Sequence, residues 1–137
     1  MSKKITLSTD NNWSWINNNG IILIQSKLLL NNGFDHAFFA RNNLEKNQPE
    51  RLNKILNENL IIHRIKQVHG DKVVQAFETK HSQTLEADSI ISDNSNQGLW
   101  IYTADCIPIL IGDKRTGHVA AIHSGWRGLV QNIIRKT

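Results

Sequence analysis

The chain reads as an α+β protein. Three observations predict this: several short apolar runs at strand spacing, only two segments with helical periodicity, and no regular strand–helix alternation of the doubly wound kind. No internal repeat, linker or composition break interrupts it. The 137 residues are therefore expected to form one domain, long enough to bury a core without disulfide staples.

Each element has its own reason. Residues 14–16 and 21–25 flank the stretch NNNG, which predicts a hairpin turn because Asn and Gly tolerate positive φ. Residues 34–40, FDHAFFA, form a further strand candidate. Pro49 opens a helix that carries Leu52, Ile55, Leu56 and Leu60 at helical spacing. Residues 61–67 alternate, with Ile61, His63 and Ile65 on one face and Ile62, Arg64 and Lys66 on the other, which is strand periodicity. Further strands are expected over 72–77, 88–92, 99–104, 107–111 and 118–123, the last two separated by the loop GDKRTG. Residues 126–136 then read as one helix, with Leu129, Ile133 and Ile134 in a stripe and Val130 at its edge. A helix this short needs a surface to pack on.

Composition narrows the function classes. The formal charge is +4, but the lysines and arginines are scattered and no aromatic–basic interleaving marks a stacking surface. This argues against a nucleic-acid partner and is compatible with a small anionic substrate such as phosphate. No apolar run reaches the length of a membrane span, so no membrane partner is expected. The two N-terminal lysines have no apolar signal core behind them, and a single cysteine allows no intrachain disulfide. The expectation is a soluble, cytoplasmic protein.

Three segments carry borderline-soft metal ligands: QVHG with His69, ADC with Cys106, and IHSGWRG with His123, each at or near a strand end. A thiolate and two imidazoles suit zinc, and three protein ligands leave a fourth position for water or a substrate oxygen. Separations of 37 and 17 residues form no local metal motif. The same residues allow a cysteine nucleophile activated by His123 or His69, or a blue-copper set. A full multicopper oxidase would need many more than the six histidines present. His63 and His118 are expected on strands, partly buried and hydrogen-bonded; His36 is left unassigned. Asp105 has three roles open to it: orienting a ligand histidine, accepting a substrate proton, or bonding nearby backbone. Asp88, in EADSI, has the same three. Arg127 follows SGW at a helix start, where its guanidinium and backbone N–H groups would hold an anion. Trp126 reads as a core residue.

The ordered series QVHG, EAD, TADCIP and AAIHSGWRG, spanning roughly residues 65–131, closely resembles the YfiH-type family of laccase-domain proteins, purine nucleoside phosphorylases and peptidoglycan editing factors. The resemblance implies a layered α/β/α arrangement around a mixed sheet. It implies a zinc site of His69, Cys106 and His123, with copper less favoured. The implied activity is phosphorolysis of purine nucleosides (adenosine, inosine, guanosine, methylthioadenosine) together with adenosine deamination. The partners are then the nucleoside and phosphate, with Cys106 and Asp105 catalytic and Arg127 and Arg41 binding substrate. Editing of peptidoglycan precursors and a non-catalytic zinc-binding fragment are the alternatives. Two departures stand out. The stretch FFARNNLEKNQPERLN keeps Arg41 but lacks the glycine pair that follows the arginine in the family. Family members also continue for nearly as much chain again after the GWRG helix, so this chain reads as the N-terminal part of one.

Overall fold

The computed structural model describes residues 4–41, 49–81 and 85–137. The chain divides into two compact units, Met1–Glu58 and Asn59–Thr137.

The first unit holds β1 (Lys4–Thr9), β2 (Trp13–Asn18), β3 (Ile21–Ser26), α1 (Lys27–Asn31), β4 (Phe38–Phe39) and α2 (Pro49–Leu56). Its four strands form one antiparallel sheet in the order β1-β2-β3-β4. The hairpin expected at NNNG is present. Asn19 and Gly20 adopt φ of 51° and 86°, the double left-handed turn that matches strand twist, and Asn18 pairs with Ile21 across it. At the β1–β2 turn, Asp10 Oδ1 accepts the backbone N–H of Asn12 and Trp13, both at 2.7 Å. Strand β1 was not anticipated: its Ile5 and Leu7 stay exposed, and half-buried alternation is the signal that strand reading depends on. The strand expected over 34–40 shrinks to two residues because His36 serves as a bracket instead. Its Nε2 accepts the Ser26 N–H at 2.8 Å, and its Nδ1 donates to the Phe34 carbonyl at 3.0 Å.

The second unit carries β5 (Ile61–Arg64), β6 (Val73–Gln75), a 3-10 helix (Ala76–His81), β7 (Ser89–Ile91), β8 (Gln97–Trp100), β9 (Ile107–Gly112), β10 (Val119–Ser124), α3 (Trp126–Val130) and α4 (Ile133–Lys136). A mixed sheet runs β6-β7-β10-β9, with β6 and β7 parallel and the other pairs antiparallel; β5 and β8 pair in parallel separately. This is the α+β class that the pattern predicts, with the mixed sheet that the family resemblance implies. Ile65, Val74, Ala76, Ala87, Ile90 and Ala121 form the core, with Leu85, Leu99, Ile101 and Leu110 packed against it. Strand β10 is the most buried, because Ala120, Ala121 and Ile122 let neighbours close on both its faces.

Three expectations are corrected here. The single helix over 126–136 is broken: Asn132 adopts the left-handed φ of 62°, which ends one helical turn and starts another. The rotation separates the expected stripe, so Ile133 is buried while Leu129, Ile134 and Val130 remain exposed. His118 lies before β10 rather than on it, and is exposed. Trp126 is 72% exposed and is no core residue.

Candidate metal centre

Strand register explains why three distant segments meet. Val73 pairs with Ser89, Ile122 with Ser89, and Ile107 with Ser124. The starts of β6, β7 and β9 and the finish of β10 therefore share one end of the sheet. The residues just beyond or at those strand ends are the QVHG loop, Asp88, Cys106 and His123.

His69, Cys106 and His123 converge there, each offering one ligand atom, and these atoms lie within 4.8 Å of one another. The two imidazoles meet edge-to-face, with centroids 4.8 Å apart at 85°. Exposure is graded: His123 is buried, Cys106 half-buried and His69 exposed, so the group opens to solvent on the His69 side. Gly125 fills the wall. A Cβ there would stand 3.3 Å from Cys106 Sγ and 3.4 Å from His69 Cδ2, so any side chain would crowd two of the donors.

Asp88 is fully buried at the centre of the loops. Its Oδ1 accepts His123 Nδ1–H at 2.7 Å and the His69 N–H at 2.9 Å, while Oδ2 accepts the N–H of Gly70 at 2.7 Å and of Val68 at 3.3 Å. Burial pushes its carboxyl upward, but the bonds from His123, Gly70, His69 and Val68 outweigh that and hold it below the ordinary 3.8. The same bonds support a strained backbone. His69 sits at φ 61°, a left-handed conformation that costs a non-glycine residue about 1–2 kcal/mol.

Two further contacts brace the QVHG loop. Gln67 Nε2 donates to the Tyr102 carbonyl at 2.6 Å, and its Oε1 accepts the Tyr102 N–H at 2.7 Å, tying the loop to the segment that leads into Cys106. The Gly70 carbonyl lies where a Cβ on Gly128 would be 2.8 Å away, so α3 approaches this loop more closely than any side-chain-bearing residue allows.

The donor chemistry fits a metal. Tetrahedral zinc, at about 2.3 Å from sulfur and 2.0–2.1 Å from nitrogen, separates its donors by about 3.5 Å. The three donor atoms lie within 4.8 Å of one another, so a small inward shift would reach that spacing, and the Asp88 bond on Nδ1 leaves His123 Nε2 as the free donor.

Of the other residues singled out from sequence, Asp105 is exposed in the bend 104–106 beside Cys106. Arg127 is exposed on α3, its Cζ 5.4 Å from the Trp126 ring centroid. That helix has five residues, too short for the aligned dipole expected of a longer one. Arg41 is exposed in the first unit, and residues 42–48 after it lie outside the described residues. Sequence reasoning left Asp88 among three roles and missed Gln67 and Gly128. The available signal was positional: Asp88 immediately precedes a buried strand, and Gln67 stands two residues before His69.

Residues 30–137 match the family described as multi-copper polyphenol oxidoreductase laccase. The chain belongs to the YfiH-type family. Over 134 residues it is 42% identical to a purine nucleoside phosphorylase of Synechocystis, covering 93% of this chain and 50% of that protein. A purine nucleoside phosphorylase of Aquifex aeolicus is 44% identical over 71 residues, which is 52% of this chain and 33% of that one. Among solved structures, Neisseria meningitidis protein NMB0706 matches with a TM-score of 0.57 at 25% identity, over 99% of this chain and 55% of that one. YlmD from Geobacillus stearothermophilus shares the fold, with a TM-score of 0.59 at 17% identity over 96% of this chain and 56% of that one. The YfiH-type chain described here thus spans about half the length of the Synechocystis relative.

Proposed function

We propose that this chain carries the zinc centre of a purine nucleoside phosphorylase that also deaminates adenosine, working in the cytoplasm on a nucleoside and phosphate. One observation carries the reading: three donors from three segments converge at an opening, with one imidazole already oriented by a buried carboxylate. The names of the relatives support the nucleoside chemistry.

His69, Cys106 and His123 would hold the metal, which would supply Lewis acidity toward a water, phosphate or substrate oxygen. Cys106 contributes as a thiolate, which removes it from the role of free nucleophile. In phosphorolysis a phosphate oxygen bonds to the ribose anomeric carbon as the carbon–nitrogen glycosidic bond breaks. The purine leaves with that electron pair and takes up a proton. Arg127 neutralises the phosphate. In deamination water adds at the purine carbon bearing the amine, and ammonia departs after protonation. Asp105, exposed beside Cys106, relays the proton in both reactions.

The test is turnover of adenosine with and without phosphate. Free adenine requires phosphate, inosine does not, and Cys106→Ala abolishes both. Full activity in Cys106→Ala would exclude the zinc reading. A second reading is a zinc-binding module without turnover, since the same three donors could hold a metal with no substrate. It predicts stoichiometric zinc with neither product.

A further inference from the structure

We propose that Asp88 is the positioning residue of this centre: one carboxylate presets both histidines before metal arrives. The inference rests on the metal reading above but concerns a residue outside the ligand set.

The two oxygens do different work. Oδ1 bridges the ligands themselves, accepting the His69 backbone N–H at 2.9 Å and the His123 ring N–H at 2.7 Å. Oδ2 grips the turn on either side of His69, through Val68 and Gly70. The bond to Nδ1 selects the His123 tautomer whose Nε2 lone pair is free for coordination. The bonds to three successive N–H groups hold His69 in its left-handed backbone, which sets where its ring points. The carboxylate is also fixed in place. Its own N–H donates to the Lys72 carbonyl at 3.0 Å, and its carbonyl accepts the His123 N–H at 2.8 Å, so ring and backbone of His123 are both tied to Asp88.

Only a carboxylate satisfies this arrangement, because all four groups facing it are donors and each oxygen receives two. An asparagine has one acceptor oxygen. Whichever way it turns, its NH2 faces either the ligand pair or the Val68–Gly70 pair, so Asp88→Asn disrupts one of them.

Two measurements test this. In metal-free wild-type protein, at a pH where the ring is neutral, nitrogen-15 NMR should find His123 protonated at Nδ1 and bare at Nε2, with a slowly exchanging Gly70 amide. A His123 ring protonated mainly at Nε2 would overturn the proposal, whether or not any variant folds. In cobalt titrations, Asp88→Asn should bind roughly 10- to 100-fold more weakly. It should keep the thiolate charge-transfer band of Cys106 and show an altered visible spectrum. Affinity within twofold of wild type would refute the positioning role. The two ideas fail separately: wild-type protein that binds no cobalt sinks the metal reading, while the tautomer measurement still decides the role of Asp88.

Discussion

Two buried histidines of the second unit sit in contrasting surroundings. His63 and His123 are 2% and 3% exposed, and each has its Nδ1 on a hydrogen-bond partner. For His63 the partner is the Thr79 hydroxyl at 2.8 Å, which itself donates to the Ala76 carbonyl, so His63 Nδ1 is the donor. His63 Nε2 is buried with no partner among the described residues, and desolvation lowers the imidazole below its ordinary 6.5. For His123 the partner is a carboxylate, and the ring faces Cys106 and His69. The lesson is that burial alone makes a histidine a neutral structural strut. A charged partner behind it and further donors in front of it equip it to bind a metal.

The largest break in this contrast comes from the ligands. His123→Ala should reduce metal affinity by about a hundredfold or more, a loss larger than the outer-shell change at Asp88, whereas His63→Gln should leave affinity unchanged; metal-competition titration checks both. Next is Gly128→Ala. Its Cβ would meet the Gly70 carbonyl at 2.8 Å, backbone that cannot swing aside. A destabilisation of about 1–3 kcal/mol is expected, read by denaturant unfolding, with weaker metal binding because the His69 loop shifts. Gly125→Ala should be milder for folding, since its contacts are 3.3–3.4 Å, yet still weaken metal binding.

The pH dependence sharpens the contrast further. His63 has a folded-state pKa below 6.5, so its contribution is intact above 6.5 and is lost as pH falls from there to the lowered value. Asp88 is held below 3.8, so its stabilisation is intact above 3.8 and is lost as pH falls through the lowered value. Unfolding measured across pH in metal-free protein should show two separate declines. His63→Gln should remove the upper one and leave the lower. The smallest effect is expected at the surface. Val130→Glu, at a side chain 74% exposed, should change stability by less than about 0.5 kcal/mol, while reducing any self-association seen by light scattering.

The convergence of His69, Cys106 and His123 was legible because their residue types are rare and each lies by a strand end: the chain has one cysteine, and strand register brings the segments together. The β2–β3 hairpin was legible because Asn and Gly state their backbone preference locally. The broken terminal helix was not, since apolar spacing continues through Asn132 and periodicity is blind to a single left-handed residue. Asp88 could not be assigned because its role is a sum of four bonds from two distant segments, none implied by its neighbours in sequence. Trp126 misled for the converse reason: a large aromatic beside a buried strand suggests a core, but the turn at Gly125 carries it outward.

The close approach of Gly128 to the Gly70 carbonyl links the two ends of the second unit. The segment that follows the last of the three donors, anchored by the buried Ile133, bounds the loop that bears the first. Removing residues 129–137 should therefore slow or prevent maturation of the centre while deleting none of its ligands.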